Sequence, residues 1–301
     1  MGGNAEELYY SGADKNVIGY ISILIKSLRP EQYYKNLLVF VGLIFTYRIF
    51  SDNLWAYSVM AFIIYCMLSG SNYILNDIFD MEKDKNHPVK SLRPIASRRL
   101  NIFAAGAFAA GLIAISIILS YAISLNFMVL SIALVLSNIS YDLITKNIPF
   151  LDAISISINF IIRVIAGCLA IGSGIPLWIT SCIFILSLLL VFGKRRSTLV
   201  ILGDEAKNFK GSLLAYNVKM LDKLINALSI ALVALYLVYT YHSSNIYIAL
   251  TVPPVIYGIL RYLFLLRSRN MGEVADILLK DGRFVACMAI WLCLNTIVLY
   301  S

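Results

Sequence analysis

The sequence predicts an all-α, polytopic membrane protein of nine transmembrane helices. Three observations lead there. The 301 residues are 60% hydrophobic and only 14% charged, with a mean hydropathy of +0.80, whereas soluble domains carry about 25% charged residues. The apolar residues fall into nine runs, each near the length a helix needs to cross the hydrocarbon layer. The connections between the runs alternate between basic and uncharged.

The runs occupy residues 36–50, 54–75, 102–121, 126–140, 150–171, 176–193, 224–241, 245–265 and 284–300, the first and fourth being short. Of the 25 Lys and Arg, Arg48 alone falls in a connection on one side, and that side otherwise reads YAISLN, GSGIP and YHSSN. The N-terminal segment and connections 76–101, 141–149, 194–223 and 266–283 carry nearly all the rest. Positive charge is retained on the cytoplasmic side, so the N-terminus and basic connections are expected in the cytosol and the C-terminus outside the cell membrane. An odd number of spans is required, and nine satisfies it. Residues 1–26 are expected to form a cytosolic tail, since MGGNAEELYYSGADKN lacks the basic start and cleavage pattern of a signal peptide. Residues 27–301 are expected to form one transmembrane domain.

The net charge of +8 then follows from topology and attraction to anionic membrane lipids, not from a nucleic-acid partner. Five cysteines lie in apolar runs without metal-site spacing and read as buried hydrophobes. His87 and His242 are too far apart to suggest a histidine metal site.

What topology leaves unexplained is NDIFDMEKD, residues 76–84, with four carboxylates in nine positions. Continued as a helix from the second span, it places Asp80 at about 40°, Asp84 at about 80° and Asp77 at about 100° from Asn76. One face thus gathers four polar groups, and like charges at a membrane boundary call for a counter-cation. Hard oxygen donors of this kind suit Mg²⁺, which binds through one or two carboxylates plus substrate phosphates. The plain alternative is a solvated helix end pairing with Lys83 and Lys85.

Downstream, NHPVKSLRPIASRR sets Lys90, Arg93, Arg98 and Arg99 in a loop that Pro88 and Pro94 keep from being helical. Acid beside base in this way fits a diphosphate: metal neutralises phosphate oxygens and cations hold the leaving group. Three further basic ends repeat the theme. SLRPEQYYKN supplies Arg29, Gln32, Lys35 and Asn36; YDLITKNIPFLD supplies Tyr141, Lys146 and Asp152; FGKRRSTL supplies Lys194, Arg195 and Arg196. Each alone reads as a topology anchor, and together they read as one pocket. Arg163, within the fifth run, is expected to face the bundle interior and line a cavity wall.

In their order along the chain, LRPEQYYKN, NDIFDMEKDKNHPVKSLRPIA, YDLITKNIPFLD, FIIRVIAG and GKRR resemble the UbiA-type membrane prenyltransferase superfamily. Within it, they are most similar to the decaprenyl-phosphate phosphoribosyltransferases. The resemblance implies a UbiA-like domain of nine helices around a central cavity that opens to lipid. It implies a reaction in which a polyprenyl phosphate attacks the anomeric carbon of phosphoribosyl diphosphate and expels pyrophosphate with Mg²⁺. On that basis Asn76, Asp77, Asp80 and Asp84 would hold metal and diphosphate. Lys35, Lys90, Arg93, Lys146 and residues 194–196 would grip phosphates, while Tyr141 and Asp152 would position the ribose or a second metal.

Two alternatives compete. One is transfer of a prenyl group from a prenyl diphosphate lipid to an aromatic or glycerol-phosphate acceptor. Relatives of that kind carry a second acidic pair after the sixth span, where this chain has only Asp204 and Glu205 side by side. The other is a transporter, which would place its charges near the membrane midplane and often shows repeated halves. Short amphipathic helices are expected in 204–223 and 269–283, where they could close over the pocket. A homo-oligomer is left open.

Overall fold

A computed structural model describes residues 17–46, 48–86, 89–203, 211–243, 245–268, 278 and 280–300. Within these residues all regular structure is helical, and eight helical segments are long and apolar enough to cross a membrane. In chain order the α-helices are α1 (Val17–Ser27), α2 (Val41–Phe45), α3 (Asp52–Phe79), α4 (Met81–Lys85), α5 (Ile102–Ile123), α6 (Leu125–Leu143), α7 (Leu151–Ala170), α8 (Leu177–Leu202), α9 (Val218–His242), α10 (Val252–Ser268) and α11 (Gly282–Tyr300). Residues 1–16, most of 269–279 and 204–210, including Asp204 and Glu205, lie outside the described residues.

Side-chain caps define several helix starts. Asn101 accepts from the amides of Phe103 and Ala104 to begin α5, Ser124 from Phe127 to begin α6, and Asn217 from Met220 to begin α9. Each satisfies amides that have no partner inside the helix. Large apolar side chains such as Phe103, Ile118, Val129 and Ile230 face outward, as expected of a surface solvated by lipid rather than water.

The first expected span takes a different form from the other eight. Pro30–Phe40 is a 3₁₀ helix that runs into the five-residue α2. A 3₁₀ helix rises about 2.0 Å per residue and an α-helix about 1.5 Å, so Pro30–Phe45 extends roughly 30 Å despite its shortness. Glycine lets it dock closely. A Cβ on Gly167 of α7 would stand 1.8 Å from the Val39 carbonyl oxygen, and one on Gly42 would stand 2.9 Å from the Cys168 amide nitrogen. The last part of the segment read as a tail is also structured: α1 buries Ile23 in a cluster with Ile74, Ile95 and Leu100.

Two larger apolar clusters divide the interior. One joins α3, α6 and α7 through Tyr65, Leu68, Phe127, Leu134 and Ile162. The other joins α8, α9 and α10 through Leu189, Phe192, Leu221, Ile225 and Tyr262. The last helix packs on the end of the first segment: the Tyr300 hydroxyl of α11 accepts from the Ile49 amide at 2.8 Å, and Phe45 lies beside Trp291 with ring centroids 6.0 Å apart. Four cysteines are buried as expected, but Cys293 is exposed on α11.

Candidate active site at one end of the bundle

The acidic stretch is not one continuous helix. α3 ends at Phe79, Asp80 adopts φ −95° and ψ 2°, and α4 begins at Met81. The break is mild, because the amide of Asp80 still bonds the Asn76 carbonyl and that of Asp84 still bonds the Asp80 carbonyl, both at 2.9 Å. The shared face therefore survives. Asp77 and Asp84 are each 3% exposed, and Lys85 pairs with Glu82 rather than with this face.

Cations from three other segments fill that face. Arg93 Nη1 lies 2.6 Å from Asp84 Oδ2 and 3.1 Å from Asp77 Oδ1, bridging the two. Arg29 Nη2 reaches the same Asp77 oxygen at 2.5 Å, with its guanidinium carbon 5.1 Å from the Tyr73 ring centroid. Lys146 Nζ donates to Asp80 Oδ1 at 2.8 Å, and Lys90 stands 4.0 Å from Asp84. Burial pushes the Lys90 amine below the ordinary lysine range, while Asp84 pulls the other way. Arg29 occupies the left-handed region at φ 52°, ψ 61°, strain of a kind that clusters at functional sites.

The sequence reading missed Asp142. Asn76 Nδ2 donates to Asp142 Oδ1 at 2.6 Å, which ties the end of α3 to the end of α6. The other oxygen, Asp142 Oδ2, is buried and has no hydrogen-bond partner among the described residues.

Beside this cluster lies a second one. Asp152, fully buried at the start of α7, accepts from Arg195 Nη2 at 2.9 Å and Ser212 Oγ at 3.1 Å. Arg195 also donates to the Tyr141 phenol, so Tyr141 stands between the two clusters. Ser212 and Tyr216, whose hydroxyl donates to Asp152 at 3.5 Å, were not foreseen. They belong to the 3₁₀ helix Gly211–Ala215 and the residue after it, within the connection expected to hold an amphipathic helix.

Not every expected residue joins the two clusters. Lys194 is exposed, and Arg196 turns away to Asp222 Oδ1 at 2.6 Å. Lys35 Nζ donates to Gln32 Oε1 at 2.6 Å. Arg163 is 8% exposed and lies deep in the bundle. It donates to Asn36 Oδ1 at 2.8 Å, the Asn159 carbonyl at 2.6 Å and Ser69 Oγ at 3.2 Å. Asn159 lies one turn before Arg163 on α7, whereas Asn36 and Ser69 arrive from other elements, so spacing alone does not mark them as partners.

The described residues contain no group of three His, Cys, Asp or Glu side chains arranged as a metal cage. The donor chemistry nevertheless fits a hard divalent ion. Every candidate ligand is an oxygen, the unpartnered Asp142 Oδ2 is one of them, and Mg²⁺ needs only one or two carboxylates beside phosphates and water.

Fold and site together define a multi-pass membrane protein whose ionisable groups concentrate at one end of a helical bundle. The model of the UbiA prenyltransferase family matches residues 37–292, and the chain belongs to that family. It is a UbiA-family transferase. Among proteins of similar sequence, the decaprenyl-phosphate phosphoribosyltransferase of Mycolicibacterium smegmatis is 27% identical over 94% of this chain and 93% of its own. That of Corynebacterium glutamicum is also 27% identical, over 86% and 81% respectively. Among solved structures, a UbiA homologue from Archaeoglobus fulgidus bound to DMAPP and Mg²⁺ superposes with a TM-score of 0.73 at 19% identity, covering 91% of this chain and 98% of its own. Family and charge placement together leave the transporter alternative without support.

Proposed function

We propose that the protein transfers a 5-phosphoribosyl group from phosphoribosyl diphosphate to a membrane polyprenyl phosphate, releasing pyrophosphate. The observation that carries this reading is the interleaving of Asp77, Asp80 and Asp84 with Arg29, Arg93 and Lys146 at one end of the bundle. Sequence similarity over most of the chain to proteins named for that activity supports the same choice.

In this reading the acid-bearing end faces the cytosol, where a soluble donor arrives, and the lipid acceptor enters from the bilayer. A lipid phosphate oxygen attacks the anomeric carbon, a C–O bond forms, and the bond to the diphosphate breaks with its electron pair leaving on pyrophosphate. Bound Mg²⁺ would neutralise diphosphate oxygens, held by Asn76, Asp77, Asp80, Asp84 and Asp142.

The chain's own cations then change partners. Arg29, Arg93, Lys90 and Lys146 hold carboxylates in the absence of donor and turn to phosphate oxygens when it binds, which keeps charge balanced in a water-poor site. Gln32, Lys35 and Lys194 extend this polar rim, and Arg196 supports it from α8 through Asp222 on α9. The buried Asp152–Arg195 pair fixes Tyr141 beside the sugar. Arg163 with Asn36 supports the interior wall.

The alternative within the family is prenyl transfer from a prenyl diphosphate, favoured by the likeness in fold to the homologue solved with DMAPP. A thermal-shift comparison in detergent separates the two. Phosphoribosyl diphosphate with Mg²⁺ should raise the melting temperature and compete with pyrophosphate. Stabilisation by geranylgeranyl diphosphate with none from the ribosyl donor would overturn the proposal.

A further inference from the structure

The polar interior continues beyond the acid cluster. One helical turn deeper along α6 from Asp142, Asn138 Oδ1 accepts a 2.8 Å bond from Asn159 Nδ2 on α7. The Asn159 carbonyl is taken by Arg163. Its side-chain oxygen Oδ1 is buried and has no hydrogen-bond partner among the described residues, a state shared by Asp142 Oδ2, one turn along α6 from Asn138. Asn159 is 9% exposed and Asp142 3%, so neither oxygen is bathed in solvent. Buried acceptors without donors are costly. Asn138, which holds Asn159, sits one turn along α6 from Asp142, so the two acceptors follow one polar path inward from the acid cluster.

Their chemistry distinguishes donors. With Asp142 given to the metal, a prenyl chain, which offers only C–H groups, would leave Asn159 Oδ1 unpaired, whereas a sugar presents O–H donors. We infer that Asn159, braced by Asn138, reads a hydroxyl of the sugar on the diphosphate donor and sets the specificity of the site for a glycosyl over a prenyl group. The inference rests on the phosphoribosyl reading above and assigns to it a residue that neither sequence motifs nor charge had singled out. Sites built to bond a substrate hydroxyl reject analogues lacking it far more strongly than apolar pockets reject a change of size.

The test uses the full-length protein in detergent with Mg²⁺ and a polyprenyl phosphate acceptor. It compares phosphoribosyl diphosphate with its 2-deoxy and 3-deoxy analogues. Wild type should lose about 10- to 100-fold in kcat/KM with at least one deoxy donor. Asn159→Leu should lose a similar factor with the parent donor and no longer distinguish that pair. Comparing the ratio between wild type and variant cancels the intrinsic reactivity of each sugar. Inhibition by pyrophosphate should be unchanged in the variant, showing an intact leaving-group site. If Asn159→Leu does not fold, Asn138→Leu removes the brace and should blunt the same discrimination.

Equal discrimination in wild type and variant, or none in wild type, would overturn the inference while leaving phosphoribosyl transfer standing. A wild type that accepts only prenyl diphosphates would remove both.

Discussion

Arg93 Nη1 lies 2.6 Å from Asp84 Oδ2, joining a loop cation to a carboxylate nine residues earlier in the chain. Because the same nitrogen also reaches Asp77, one guanidinium holds together the two buried ends of the acidic stretch across the break at Asp80.

That relationship predicts how Arg93 responds to substitution. Arg93→Lys keeps the charge but presents a point donor in place of a planar fork. Turnover should fall by about tenfold or more while the protein remains folded. Steady-state kinetics with varied donor would show it, and wild-type values in the lysine variant would remove the bridge from the mechanism.

Asp80 and Asp84 should matter more. Asp80→Ala or Asp84→Ala should lower metal-dependent pyrophosphate release by about 100- to 1,000-fold, the scale of losing one group that stabilises developing charge. Size-exclusion profile and helical circular dichroism should be unchanged. Retained turnover in both variants would mean that this face has another purpose.

Chelation offers an independent check. EDTA should abolish pyrophosphate release and Mg²⁺ should restore it, since phosphate oxygens and carboxylates otherwise meet with like charge. Undiminished turnover after exhaustive chelation would exclude the metal from the reaction.

The Asp152–Arg195 pair makes a stability prediction. Asp152→Ala strands a buried guanidinium and should cost about 3–5 kcal/mol, whereas Asp152→Leu combined with Arg195→Leu should recover much of that loss. Thermal unfolding in detergent distinguishes the cases. A double variant no more stable than the single would show that Ser212 and Tyr141 also need the charges.

Packing of the first segment gives a further contrast. Gly167→Ala drives a methyl into the Val39 carbonyl and should destabilise by about 1–3 kcal/mol. Gly111→Ala meets nothing within 4 Å and should be neutral or stabilising by up to about 1 kcal/mol. Reversal of that order would contradict the close docking of Pro30–Phe45 on α7.

Much of this architecture is legible in the sequence because apolar run length and one-sided charge depend on no partner. The acid face is legible for the same reason: its spacing survives even the break at Asp80. Asp142 was overlooked, although it lies inside the quoted YDLITK, because its meaning depends on Asn76, which is 66 residues away. Arg163 announced itself as an intramembrane charge, but its partners Asn36 and Ser69 come from two other elements whose meeting only the fold decides. Arg261 escaped notice within the eighth apolar run, where it pairs with Asp281 at 2.6 Å. The 3₁₀ form of Pro30–Phe40 and its close approach to Gly167 are likewise invisible to hydropathy, which reports apolar run length and not helix type.

The measurement that tests the central claim most directly is transfer in a purified, reconstituted system. Phosphoribosyl diphosphate labelled in the ribose, Mg²⁺ and a polyprenyl phosphate are combined with the protein, and label is followed into the lipid fraction. The account predicts a labelled lipid-linked pentose phosphate and one pyrophosphate per label transferred. No labelled lipid, with prenylated product formed instead from geranylgeranyl diphosphate and an acceptor, would contradict it.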